Sequence, residues 1–245
     1  MNRHIAQYAV SLISAVLLSA GCAQRASNKS ADDVVALQRA DGDSTLYALV
    51  AAGSNDSILV YLTLPYRGAD PDTVSILEAL QRRQVFGRPA IGDDVAIVRS
   101  DSDSTVAKRV IVTERFVGTW AYQVFPKLRH QMGDGPLPPH LQQMLEEPRE
   151  YSMVVKPSGD MFVTSAHGTR QADEQLPVVY PKPKRYGHWA IFNGRLVLSE
   201  MKRDTTDAVS VVSTDTADFI RMRRDTLILN IAGEERKFYR KTEQG

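Results

Sequence analysis

What most restricts the folds open to this chain is a long series of short apolar, β-branched or aromatic runs, each closed off by a turn cluster. LYALVAA (46–52) and SILVYLTL (57–64) are separated by Gly53, Ser54, Asn55 and Asp56, and predict a hairpin. EYSMVVK (150–156) and DMFVTSAH (160–167) flank Pro157, Ser158 and Gly159. GHWAIF (187–192) and RLVLSEM (195–201) flank Asn193-Gly194, a pair suited to the positive φ angles of a two-residue hairpin turn. AVSVVS, DFIRMR, TLILNI and RKFYRK follow at short intervals up to residue 241. Successive hairpins of this kind favour an antiparallel up-and-down sheet or barrel over a parallel α/β fold.

The runs fall into two groups. Residues 45–116 predict a small β-rich domain, in the form of a partly open barrel. Within it Asp70, Pro71, Asp72 and Thr73 predict a helix start, with SILEALQRR (75–83) as a short amphipathic helix. Glu114 to Gly118 forms the seam. Residues 117–245 predict a second β domain that opens on GTWAYQVF (118–125), with HLQQMLEE (140–147) as a helical turn or two. The fold class is therefore mainly β.

The amino terminus has a different character. Arg3 and His4 precede an apolar run from Ile5 to Leu18, and the small residues Ser19, Ala20 and Gly21 lead to Cys22, the sole cysteine. The run has the length of a signal-peptide core and is shorter than the ~20 apolar residues of a spanning helix. Residues 1–22 resemble the bacterial lipoprotein signal, in which a box of aliphatic, small, small and Cys marks the acylated cysteine. Ala20, Gly21 and Cys22 match that box, and Ser19 stands where Leu is usual. The resemblance implies removal of 1–21 and fatty acylation, palmitate included, of Cys22. Residues 22–44, polar and without periodicity at their start, then form a tether. Ala23, in a position where Asp would imply inner-membrane retention, points to the outer membrane, on its periplasmic or cell-surface side.

Gly118, Thr119 and Trp120 open the first strand of the second group, and hairpins run to the end of the chain. On these residues 117–245 resemble the lipocalin-like domains of Bacteroidetes-type lipoproteins, and the preceding segment resembles the region found before such domains. In that family a last-strand basic residue packs across the first-strand Trp and closes the barrel. The resemblance implies Arg240 for that role over Trp120, with Arg236 as the alternative. Alternation places Tyr122 and Val124 on the face of Trp120, and Phe238 on that of Arg240. It also assigns to a barrel interior Met153, Val155, Trp189, Ile191, Leu196, Leu198, Ile220, Met222, Leu227 and Leu229. Of these Met153, Val155, Trp189, Ile191, Leu198, Met222 and Leu229 are the expected ligand-binding residues. An eight-stranded barrel is just wide enough to be filled by side chains or to hold one small ligand.

Chemistry-bearing motifs are sparse. No G-x-S-x-G elbow, P-loop or H-E-x-x-H occurs. The five histidines lack the spacing of a metal site, and one cysteine excludes an internal disulfide or a cysteine cluster. Ser100 to Ser104, with Asp101 and Asp103, lack the Gly and closing Glu of a calcium loop and predict a polar hairpin loop. Lys182, Lys184 and Arg185, interleaved with Pro181 and Pro183, predict an extended connector. Of 30 basic and 29 acidic residues only Arg3 precedes Cys22, so a processed chain carries 29 of each. That balance gives no electrostatic case for nucleic acid. The expectation is a non-enzymatic, membrane-anchored envelope lipoprotein without cofactor or metal, whose barrel binds a small apolar or amphipathic ligand. The alternative is a structural or adaptor lipoprotein with a filled barrel that binds an envelope protein. A hydrolase built on His188 or His167 is the least favoured reading.

Overall fold

A computed structural model describes residues 42–129, 135–165, 177–203 and 209–242. The signal segment, Cys22, His130 and His167 lie outside the described residues.

Two β-sheets account for most of the chain. The first has the order β3-β2-β1-β5-β6-β4. Its strands are β1 (Leu46–Val50), β2 (Ile58–Thr63), β3 (Asp72–Ser75), β4 (Val85–Phe86), β5 (Asp94–Arg99) and β6 (Ala107–Val112). β1 and β2 form the antiparallel hairpin read from the sequence. The sheet curls until β3 reaches β6 through a bridge between Ser75 and Val106, with the Ser75 N–H donating to the Thr105 carbonyl at 2.8 Å. Ala48, Val50, Leu59, Tyr61, Val95 and Ile97 fill the inside of that curl.

The helix expected from Thr73 is displaced. Asp72–Ser75 is β3, paired in register with Ile58–Tyr61, and helix α1 covers only Leu77–Gln81. β-branched Thr73 and Val74 suit a pleated edge, and Val74 gains full burial against Leu59. Pairing with β2 therefore overrides the helix-start signal of Asp70 to Thr73.

After β6, the single turn α2 (Thr113–Phe116) leads into an eight-stranded antiparallel sheet of order β10-β9-β7-β16-β15-β14-β13-β12. Its strands are β7 (Gly118–Val124), β9 (Arg149–Val155), β10 (Met161–Ser165), β12 (Tyr186–Phe192), β13 (Arg195–Arg203), β14 (Val209–Met222), β15 (Thr226–Ile231) and β16 (Glu234–Arg240). The outermost pair, β10 and β12, meet at a bridge between Asp160 and His188, where the Trp189 N–H donates to the Gly159 carbonyl at 2.7 Å. The sheet is thus a nearly closed, lipocalin-like barrel. Outside it, β8 (Lys127–Leu128) pairs with β11 (Val178–Val179), and α3 spans Pro139–Glu146.

Two further strand expectations are corrected. The described part of AVSVVS, Val209–Ser213, and DFIRMR are not separate strands but parts of β14, which runs unbroken from Val209 to Met222. Ile220 does not point inward: the pairing of β14 with β15 slips between Phe219 and Arg221, so Phe219 and Met222 face the core and Ile220 is exposed.

The two sheets share one core. Tyr47, Phe86, Ala96 and Ile111 of the first pack with Phe116, Trp189 and Phe219. Phe116 stands edge-on to Trp189 at 5.1 Å and to Phe219 at 5.7 Å. The Asn193-Gly194 turn, with φ of 48° and 70°, docks on the first sheet. Ser44 donates to Asn193 Oδ1 through N–H and hydroxyl at 2.7 and 2.8 Å, and Arg109 donates to the Gly194 carbonyl at 2.8 Å. A Cβ on Gly194 would run into Val98. One dipeptide therefore serves as both hairpin turn and docking knob.

Candidate functional site: the open mouth of the barrel

The barrel ends are built oppositely. At the end where β7 begins, Trp120 is wholly buried and donates from Nε1 to the Phe116 carbonyl at 2.7 Å. Arg240, from the last strand, lies over the Trp120 ring at 4.2 Å. Its guanidinium donates to the carbonyls of Val117 (2.9 Å), Arg224 (2.8 Å) and Arg115. Gly118 has φ 130°, and a Cβ there would collide with Arg240 Nη1. Glycine at this place in the strand is what lets the arginine cross. Cation over indole plus three satisfied carbonyls closes this end.

Next come the packed layers. Met153, Val155, Trp189, Ile191, Leu198, Met222 and Leu229 are all buried there, along with Leu196 and Leu227. None of the seven expected ligand-binding residues lines open space at the mouth; they fill this part of the barrel. Arg236, the alternative partner for Trp120, sits at the opposite end from Arg240 and lines the mouth.

That mouth is an open cavity of about 830 Å³. It exists because β7 and β16, hydrogen-bonded at the closed end, part company. Their register pairs Trp120 with Arg240 and Ala121 with Tyr239 and goes no further. Beyond that point Tyr122–Val124 on one side and Glu234–Lys237 on the other both line the cavity. Residues of both parities contribute, such as inward Arg236 and outward Lys237, so the opening runs through the barrel wall as well as upward.

Three tyrosines form its floor and wall. Tyr122 stacks edge-on with Tyr151 at 5.8 Å and with Phe238 at 5.0 Å, and burial pushes its phenol up to about 12. Tyr151 donates to the Pro181 carbonyl at 3.1 Å, which ties the proline-rich connector to the rim. Tyr186 donates to Asp215 Oδ2 at 2.5 Å, and Lys184 Nζ reaches the same oxygen at 2.5 Å. Burial first, and then the bond to Asp215, raise the Tyr186 phenol well above its ordinary value. The bonds from Lys184 and Tyr186 hold the Asp215 carboxyl below the usual range. Arg236 lines the same opening and donates from Nη2 to Glu234 at 3.1 Å.

No family model, curated protein or solved structure matches this chain. Its site is therefore read from its own geometry.

The remaining sequence candidates are placed elsewhere. His188 packs its ring against Gly159, where a Cβ would meet Cε1, at the β9–β10 turn. Asp103 accepts from Thr105 N–H at 2.8 Å and Oγ1 at 2.6 Å, which makes the 100–105 segment a polar hairpin loop. Among the described residues no group of three or more His, Cys, Asp or Glu comes together to hold a metal, and no helix is long and apolar enough to cross a membrane. Tyr151, Tyr186 and Asp215 were not singled out by sequence reasoning, and Arg236 was expected over Trp120 rather than at the mouth. The signal was present for two of them: Tyr151 alternates with Met153, and Arg236 with Phe238 and Arg240.

Proposed function

We propose that this chain is a membrane-anchored envelope lipoprotein, acylated on Cys22 and held at the outer membrane, whose lipocalin-like barrel binds a small amphipathic molecule in its open mouth. The role is binding rather than catalysis, and nucleic acid is not a partner. The observation that carries the reading is the 830 Å³ opening at one end of an otherwise packed barrel. Its volume lies within the ~300–1,000 Å³ of small-molecule sites. Aromatic rings and charged groups alternate around it, which suits a guest with an apolar body and a polar head.

Two measurements test this. A ligand that binds only the folded chain raises the melting temperature in step with its concentration. Deoxycholate below its micellar concentration is expected to do so for the wild-type chain and far less for Tyr151→Ala, which removes a mouth ring. An identical response in the two proteins contradicts the site. For the anchor, metabolic labelling with an alkynyl fatty acid should mark wild type and leave Cys22→Ala blank; an unlabelled wild type refutes acylation.

A specific surface favours the adaptor reading as a second role. Val209, Val211 and Val212, at the start of β14, are each more than half exposed. Contiguous exposed apolar side chains mark contact surfaces. Cross-linking to an envelope protein that is lost in Val211→Lys would support that role, and unchanged cross-linking would remove it.

A further inference from the structure

Tyr122 retains only 7% of its surface exposure, and its ring reaches the cavity floor. Its neighbours Tyr151 and Tyr186 spend their hydroxyls on Pro181 and Asp215, whereas the Tyr122 hydroxyl makes no hydrogen bond to any described residue. A phenol is protonated at neutral pH, and Tyr122 lines the opening, so its hydroxyl is a donor available there. Arg236 faces the same space, and Lys182 and Lys184 line its rim. The carboxylates are largely committed. Asp215 is taken by Lys184 and Tyr186; Arg236 donates one N–H, from Nη2, to Glu234 at 3.1 Å and keeps the rest of its guanidinium for a guest, and Glu235 lines the cavity from the outward-facing parity of β16. Donors and positive charge thus converge where Asp215 is already used, and the adjoining wall is aromatic.

We infer that the mouth recognises the carboxylate head of an amphipathic anion, held between the Tyr122 hydroxyl and the Arg236 guanidinium, with its apolar tail against the Tyr151 and Tyr186 rings. The inference rests on the ligand-binding reading and adds the sign and position of the head group. Hydrogen bonds to an ionised acceptor are the strong class, and a guanidinium fits a carboxylate's two oxygens. A cationic head would meet Arg236, and the Asp215 carboxylate is already bonded to Lys184 and Tyr186.

Isothermal titration of the purified full chain with decanoate, decan-1-ol and decyltrimethylammonium, all below micellar concentrations, separates the possibilities. Decanoate is expected to bind at least about tenfold more tightly than the other two. Tyr122→Phe, which keeps the ring and its packing, should weaken decanoate about tenfold and leave decan-1-ol unchanged; Arg236→Gln should do the same. Equal affinity for all three amphiphiles, or undiminished decanoate binding in Tyr122→Phe, overturns the inference and leaves the ligand-binding reading intact. If none of the three binds, both are overturned.

Discussion

The closed and open ends of the barrel are made from the same strands, yet they treat their polar groups in opposite ways. At the closed end every donor of note is spent on protein: Trp120 on Phe116, and Arg240 on three carbonyls and an indole face. At the open end β7 and β16 separate, a phenol is left to donate into a cavity, and cations outnumber the carboxylates that face them. Pairing of the first and last strands is what divides the two regimes. Where they pair, the interior is a core; where they part, it becomes a site. On the packed side the first sheet contributes directly, with Phe86 against Phe219 at 5.5 Å beside the edge-on contact of Phe116 with Phe219 at 5.7 Å.

Substitutions at the two ends should therefore differ in kind. Trp120→Ala empties a fully buried indole site and is expected to cost about 3–5 kcal/mol of unfolding free energy, read by urea denaturation. A cost below about 1 kcal/mol would mean the closed end is not the structural anchor described. Arg240→Met keeps some of the packing but removes the cation and leaves the Val117, Arg115 and Arg224 carbonyls short of a donor. A loss of about 2–3 kcal/mol is expected on the same scale.

At the mouth, Asp215→Asn should cost about 1–2 kcal/mol at pH 7 through its weakened bonds to Lys184 and Tyr186. The sign of its pH dependence is fixed by the carboxyl being held below its ordinary value. Its stabilisation is complete above the unfolded carboxylate range and fades as pH falls through the folded value. The gap between wild type and Asp215→Asn should shrink from pH 7 to pH 3, and a gap that widens on acidification would reverse the assignment. Smallest of all, Tyr122→Phe should change stability by less than about 0.5 kcal/mol, since its hydroxyl bonds no described residue. It is the variant whose effect belongs to binding alone.

How much of this was legible in the sequence follows the same boundary. Asn193-Gly194 and Pro157 to Gly159 announce their hairpins because the turn chemistry is local. Alternation along β9, β12, β13 and β15 places Met153, Trp189, Leu198 and Leu229 in the core. It fails at Ile220, where a one-residue slip in β14 reverses the faces, and slips leave no composition signal. Val74 reads as helix until its partner Leu59 across the sheet is known. The mouth was the least legible feature. Whether Arg236 faces a core or a cavity depends on where β7 and β16 stop pairing, which is a property of two strands more than a hundred residues apart in sequence. The shared core beneath Phe116 is non-local in the same sense.

An NMR titration with decanoate, following the ring resonances of Tyr122, Tyr151 and Tyr186 beside the indole N–H signals of Trp120 and Trp189, tests the division most directly. Saturable shifts in the three tyrosines with both indoles unmoved are the predicted result. Shifts led by the indoles, or none in the tyrosines, would contradict it.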